Sequence, residues 1–282
     1  IDKKLKKHKI DKIYILSRSK KSNTNKKKHI EVKYICKNIL DLKRIPQVDY
    51  VIYSLRNDNI KTSNDYFTQF LKLLKTLNKK PKILFTSSGA IYGKNKNKKK
   101  DRESNVIDFN SINTLSAYKK RYALEKIFVE QKITELGMKD YHASIARCYT
   151  FIGKNIIKYK FAISSLINDS LKNKIIKLKT SKNVYRSYMH SNDLVEWLIK
   201  ILKNSNKQCP IYNVGSDKVI NLRELTKRIS KLSKKKCHLN KITSKDWDYY
   251  APSIAKAKKE LNLKISFNLN HALNSTIKSL NE

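Results

Sequence analysis

The stretch from Lys82 to Lys126 constrains the fold of this 282-residue chain more than any other. An apolar run, Ile83-Leu84-Phe85, ends in Thr86-Ser87-Ser88-Gly89-Ala90-Ile91-Tyr92-Gly93. A short apolar run halted by small hydroxyl residues and a glycine reads as a buried parallel strand delivering side chains at its carboxyl end. In open α/β sheets, ligands sit at that end. Further on, the segment Ser116 to Glu130 carries Ala123, Ile127 and Phe128 at helical spacing, with Gly137 as the expected stop. Tyr122 and Lys126 then share one face of that helix.

This pairing has a chemical use. A phenol is a poor base at its ordinary pKa of about 10, and an ammonium one helical turn away favours the phenolate. A serine hydroxyl from the strand end would hold a substrate hydroxyl or carbonyl against that phenol. The three groups would move one proton while a nicotinamide moves a hydride. Tyr-x-x-x-Lys pairs alone mean little in a lysine-rich chain, and Tyr92 with Lys96 is another. The order carries the weight: a strand, Ser-Ser-Gly-Ala-x-Tyr-Gly, then a helix bearing Tyr-x-x-x-Lys-x-x-x-Glu.

That order resembles the extended short-chain dehydrogenases/reductases of the NAD-dependent epimerase/dehydratase family, whose members modify nucleotide sugars. The resemblance implies an α/β fold, a Rossmann-like doubly wound parallel sheet with a smaller C-terminal substrate-binding α+β domain. It assigns residues 1–151 and 181–204 to the dinucleotide-binding part, and 152–180 and 205–282 to the nucleotide-sugar part. It makes Ser88, Tyr122 and Lys126 the catalytic residues, Ser88 because it lies four positions before Tyr92. Tyr122 and Lys126 also face the cofactor in that reading, and Ser88 the substrate.

The formal charge of +40 raises a competing possibility, a nucleic-acid binder attracted to polyanions without regard to sequence. Only nine of the 63 basic residues are arginine, the fork that phosphate and base recognition favours. The lysines are spread through every segment rather than gathered in one arm, so solvated lysine faces are the expected outcome. No apolar run approaches the ~20 residues that span a bilayer. Cys36, Cys148, Cys209 and Cys237 lie far apart without metal-ligand spacing, as expected of reduced thiols in a cytoplasmic protein that holds no metal.

The first eighty residues contain none of the five glycines, although a dinucleotide fold opens with a strand and a glycine-rich turn that cradles the pyrophosphate. Ile1 to Lys9 reads as the end of a helix and Lys12 to Leu16 as a strand, as though the chain starts after that turn; a degenerate fold that no longer binds a dinucleotide is the alternative. The strand ends at Ser17-Arg18, with Arg18 where a carboxylate would select NAD; NADP is therefore slightly favoured over NAD. Glu31 to Ile35 and Val48 to Leu55 read as further strands, and Phe67, Phe70, Leu71 and Leu74 as the core stripe of a helix over Tyr66 to Leu77. Lys94 to Asp101 reads as a mobile, charged loop.

Further assignments follow from the family resemblance. Asn38 and Ile39 stand at the adenine position, Asn replacing an aspartate, and Ser54 stands beside the cofactor where small residues are usual. Arg147 to Gly153 is similar to R-x-x-N-x-x-G, which closes over the nicotinamide and meets the sugar. Tyr149 then lies on the cofactor, and Thr150, in place of asparagine, on the substrate. Arg186 is expected to grip the substrate diphosphate, His190 to be structural, and Asp193 to cap the helix Leu194 to Leu202. Positions 86 to 90 lack the Asp-Glu pair that sugar dehydratases use, which leaves redox chemistry at one sugar carbon. A C4 epimerase is the leading expectation and an NADPH-dependent 4-ketoreductase the alternative. A non-catalytic protein, either a basic nucleic-acid binder or a dinucleotide sensor, is the reading from another class. A homodimer through the helix bearing Tyr122 is a further expectation.

Overall fold

The computed structural model describes residues 8–18, 30–55, 59–95, 97–155 and 161–281. The expected helix end at Ile1 to Lys9 falls mostly outside them, as does the loop after Arg18. Strands and helices alternate in the first half: β1 (Lys12–Ser17), β2 (Glu31–Cys36), β3 (Tyr50–Tyr53), α1 (Ile60–Leu74), β4 (Lys82–Ser88), the short α2 (Phe109–Asn113), α3 (Ala117–Met138) and β5 (Ala143–Cys148). The second half follows as β6 (Phe151–Ile152), α4 (Ala162–Lys172), β7 (Ile175–Leu178), β8 (Asn183–Ser187), β9 (Met189–His190), α5 (Ser191–Lys203), β10 (Ile211–Val214), β11 (Val219–Asn221), α6 (Leu222–Ser233), β12 (Lys236–Leu239), β13 (Trp247–Tyr250), α7 (Ala255–Leu261) and α8 (Leu269–Asn281).

The chain divides into two compact units. The first comprises Ile1–Ser87, Ser116–Ala146 and Leu198–Ile211, and the second Ser88–Leu115, Arg147–Trp197 and Tyr212–Glu282. In the first unit, β1 and β2 pair in parallel, from Lys12 opposite Glu31 to Ser17 opposite Cys36. In a separate sheet of this unit β4 lies between β5 and β3, with β3 parallel to β4. Among the described residues, no strand joins the β1–β2 pair to β3. Both sheets nevertheless share one core, since Leu16 and Ile35 pack against the cluster built by Tyr53, Phe67, Phe70, Phe85, Val129 and Ile133. The apolar runs that make β4 and β5 are buried nearly throughout, as a parallel strand covered on both faces requires.

Helix α1 begins at Asn59, whose side chain accepts from Lys61 N at 2.9 Å, so it starts earlier than the apolar stripe suggests. Apart from Ile60 its first turns are polar up to Asp65 and carry no periodic signal, and Ser63 there is buried. Helix α3 runs through Gly137 to Met138, which corrects the expected stop at that glycine. The left-handed residue beyond the helix is Asp140, at φ 64°. Gly137 has a packing reason instead: a Cβ there would collide with the Lys207 carbonyl.

The second unit has its own core, drawn from α4, α6, α8 and neighbouring strands, with Ile167, Ile176, Leu225, Ala272 and Leu273 at its centre. A three-stranded sheet in the order β11-β8-β13 places Tyr250 opposite Arg186 in parallel register. Asp193 does not cap a helix start as expected, because α5 already begins at Ser191. Its carboxylate accepts from the backbone N–H groups of Ser266 and Phe267, at 3.1 and 3.0 Å. His190 is buried and structural in its contacts: Nδ1 accepts from Asn192 N, and Nε2 meets the Ser275 hydroxyl. Among the described residues, no helix is long and apolar enough to cross a membrane.

Candidate active site

In the first unit, α3 carries Tyr122 and Lys126 one turn apart. Tyr122 is half-buried, whereas Lys126 is 3% exposed. The Lys126 ammonium lies 5.8 Å from the Tyr122 ring centre and 4.9 Å from that of Phe85. It donates to the Leu55 carbonyl at 3.3 Å and pairs with the Glu125 carboxylate at 3.5 Å. Glu125 is itself buried, and Ser63 Oγ donates to its other oxygen at 3.3 Å. An ammonium removed from water must be paired or hydrogen-bonded, and here a carboxylate, a carbonyl and two ring faces share that task. Residues adjacent on a helix do not ordinarily face one another, so nothing in the sequence marks Glu125 as the partner. Burial at the contact brings them together.

Ser88 opens the second unit at the carboxyl end of β4 and caps the 3₁₀ turn Gly89–Tyr92. Its Oγ accepts from Ala90 N at 3.2 Å and stands 3.2 Å from the Tyr250 hydroxyl. Gly89 is required beside it, because a Cβ there would enter the ring of Tyr149. Tyr149 is buried, stacked against Tyr250 at 4.5 Å, and its hydroxyl donates to Asp101 Oδ2 at 2.9 Å. Thr150 follows it between β5 and β6, its carbonyl accepting from Met189 N at 3.1 Å. Arg186 is committed inside the unit, its Nη2 donating to Asp248 Oδ2 at 2.7 Å and its Nη1 to the Tyr185 and Asp248 carbonyls.

Around Tyr149 the second unit buries a polar network that no spacing in the sequence marks. Arg147 Nη1 donates to the Tyr92 hydroxyl at 2.8 Å, and that hydroxyl donates to Asn213 Oδ1 at 3.1 Å. Asn213 in turn donates from Nδ2 to the Asp101 carbonyl and from its backbone N–H to Glu103 Oε1. Burial pushes the Asp101 carboxyl up to about 6, against the opposing donors Tyr149 and Asn95. Burial likewise pushes the Tyr92 phenol up to about 12, opposed by Arg147, and the Tyr149 phenol well above its ordinary value. Both phenols stay protonated at neutral pH, which removes them as candidate bases. Asp101 ends the lysine-rich loop expected to be mobile, and the loop is held: Asn95 Nδ2 donates to Lys99 O and Asp101 Oδ1, and Lys98 lies 4.3 Å from the Trp247 ring. A buried acid at the end of a charge run gives no periodic signal.

Of the residues expected at a dinucleotide, Arg18, Asn38, Ile39, Ser54, Tyr122 and Lys126 lie in the first unit and Tyr149 in the second. Arg18 is exposed after β1, Asn38 is half-buried after β2, and Ser54 is exposed after β3. Asn38 Oδ1 accepts from Leu40 N at 3.2 Å, and Ile39 is 6% exposed within the core cluster. At the carboxyl ends of three strands, a cation suits a ribose 2′-phosphate and an amide and a hydroxyl suit the polar edges of an adenosine, so these residues fit the adenosine side of a dinucleotide. Among the described residues, no cluster of His, Cys, Asp and Glu is arranged to hold a metal ion.

Residues 2–215 match the NAD dependent epimerase/dehydratase family. No protein of curated function matches the chain by sequence. Among solved structures, MoeE5 in complex with UDP-glucuronic acid and NAD is similar at 13% identity and TM-score 0.76, covering 98% of this chain and 93% of that one. A dTDP-glucose 4,6-dehydratase from Bacillus anthracis, in complex with NAD, is similar at 15% identity and TM-score 0.75, with 98% and 89% covered. The UDP-glucose 4-epimerase of Thermotoga maritima, with UDP-glucose, is similar at 15% identity and TM-score 0.73, with 98% and 93% covered. At such identities the likeness is one of fold, the Rossmann-like α/β architecture.

Proposed function

Because the chain belongs to the NAD dependent epimerase/dehydratase family, we propose that it is a nucleotide-sugar epimerase acting at C4, with Tyr122 as its acid and base. The observation that carries this reading is Lys126, a buried ammonium one helical turn from a half-buried phenol. A protein has little use for an expensive buried cation at that place unless it acts on the phenol.

A bound nicotinamide would supply the hydride acceptor and donor. Tyr122 takes the proton of the sugar C4 hydroxyl as the carbon is oxidised to a ketone, and returns it when the opposite face is reduced. Lys126 favours the phenolate during the first half of that cycle. Ser88 donates to the sugar oxygen and holds it in line. Arg18, Asn38 and Ser54 hold the adenosine side of the dinucleotide, with Tyr149 beside its nicotinamide, while Thr150 and Arg186 meet the sugar diphosphate. For Arg186 this means exchanging part of its bond to Asp248 for phosphate oxygens. Positions 86–90 offer no carboxylate, which separates this chemistry from dehydration.

The purified chain given NAD and UDP-glucose should form the C4 epimer, resolved by chromatography of the nucleotide sugars. Tyr122→Phe should retain the fold and lose about 10²–10⁴-fold in turnover. Wild-type turnover in that variant would sink the assignment. The exposed Arg18 favours one second reading, a 4-ketoreductase using NADPH. Oxidation of NADPH by a nucleotide-linked 4-keto sugar, with no epimer formed from UDP-glucose, would select it.

A further inference from the structure

Buried hydroxyls in folded proteins are nearly always hydrogen-bonded, because a polar atom taken out of water without a partner is costly. Ser87, the penultimate residue of β4, departs from that rule. It is 3% exposed, and its Oγ has no hydrogen-bond partner among the described residues. Other buried serines of the first unit are paired: Ser63 donates to Glu125, and the hydroxyls of Ser144 and Ser205 meet at 2.7 Å.

The strand fixes where that hydroxyl lies. Side chains alternate along β4, so Ser87 shares the face of Ile83 and Phe85, which enter the core cluster with Val129 and Ile133 of α3. Helix α3 runs against β4, since Lys80, just before the strand, donates to the carbonyl of Lys139, just beyond the helix, at 3.3 Å. Lys126 lies over the Phe85 ring. From there Tyr122 is one helical turn, about 6 Å, toward the carboxyl end of the strand, and Ser87 is two strand residues, about 7 Å, the same way. Ser87 and Tyr122 therefore stand at one level. The pairing of Tyr53 with Phe85, continued by two residues, brings Leu55 to that level too, and the Leu55 carbonyl accepts from Lys126.

We infer that Ser87 is a dinucleotide-binding residue whose hydroxyl pairs with the nicotinamide-riboside half of the cofactor, at a ribose hydroxyl or the carboxamide. A hydroxyl suits either group, since it both donates and accepts. Arg18, Asn38 and Ser54 follow β1, β2 and β3 and take the adenosine half in the proposed reading, and Ser87, level with Tyr122, takes the half that reacts. The inference rests on the reading of this chain as an NAD(P)-dependent enzyme.

Two measurements on the full chain test it. The first is urea unfolding without ligand. A hydroxyl that the free protein leaves unpaired is not missed, so Ser87→Ala should show an unchanged or smaller unfolding constant, whereas Ser144→Ala should raise its constant about fivefold. A rise of more than about threefold in Ser87→Ala overturns the inference, because the hydroxyl then already has its partner. The second is titration with NADH and NADPH, read by nicotinamide fluorescence. Ser87→Ala should weaken the tighter of the two about fivefold, while AMP, added as a competitor, keeps its affinity within about twofold. Equal dinucleotide affinity in both proteins, or a matching loss for AMP, overturns the role of Ser87 and leaves the cofactor reading in place. Failure of the wild-type chain to bind either dinucleotide overturns the cofactor reading and this inference with it.

Discussion

The two units each bury a charged group, and they do so by opposite means. In the first, Lys126 meets an opposite charge, Glu125, and the pair is closed by the Leu55 carbonyl and the Ser63 hydroxyl. In the second, the Asp101 carboxylate meets neutral donors, Tyr149 and Asn95, and no salt bridge to it is found among the described residues. An ion pair offsets part of the cost of taking a cation out of water. Burial pushes Asp101 up to about 6, and the hydrogen bonds from Tyr149 and Asn95 only partly oppose it. The lesson is that the charge beside the candidate acid–base is secured by a counter-charge, while the network behind Ser88 is built for shape.

The comparison can be broken most severely at Lys126. Lys126→Met should cost about 10²–10⁴-fold in turnover and about 3–5 kcal/mol in stability, because Glu125 is left buried without its cation. The double change Lys126→Met with Glu125→Gln should recover most of the stability and none of the turnover; denaturant unfolding beside the epimerisation assay separates the two. Equal recovery of both would mean that Lys126 serves the fold only.

Smaller effects belong to the second network. Gly89→Ala should destabilise by about 1–3 kcal/mol, since the added methyl meets a Tyr149 ring that stacking on Tyr250 prevents from yielding. Tyr149→Phe should cost about 1–3 kcal/mol at pH 8 and distinctly less at pH 5, because only the ionised Asp101 misses the lost donor. Asp101→Asn tests the titration itself. The folded protein holds the Asp101 proton up to about pH 6, and the unfolded chain only to the ordinary aspartate value near 4. Between those values the folded state binds more protons, so stability falls as pH rises. Wild type should lose about 2–3 kcal/mol across that window and Asp101→Asn should show a flatter profile, read from thermal melts at closely spaced pH.

Much of this was legible before any coordinates. The strands β1, β2, β4 and β5 follow apolar or β-branched runs bounded by polar residues, and α3 follows its periodic alanine, isoleucine and phenylalanine. Helix starts were less legible. The first turn of α1 is Ile-Lys-Thr-Ser, with one apolar residue and no stripe, and only the cap at Asn59 fixes it. Gly137 misled because a glycine near the end of a helix normally takes the left-handed position, whereas here it admits a distant carbonyl. Asp193 misled in the same way: its usual task at a helix start is replaced by two backbone N–H groups more than seventy residues ahead in sequence.

By itself the sequence determined the alternation of strands and helices, the family, and the placement of Tyr122 and Lys126 on one helical face, because each depends on spacing along the chain. Only the tertiary structure decided that Glu125 shares its burial with Lys126, that Asp101 is buried against Tyr149, and that Tyr250 reaches Ser88 from 162 residues away. Hydrogen bonds between side chains act over about three ångströms and leave no period in the sequence. Which donor meets which acceptor is settled when the core closes around them.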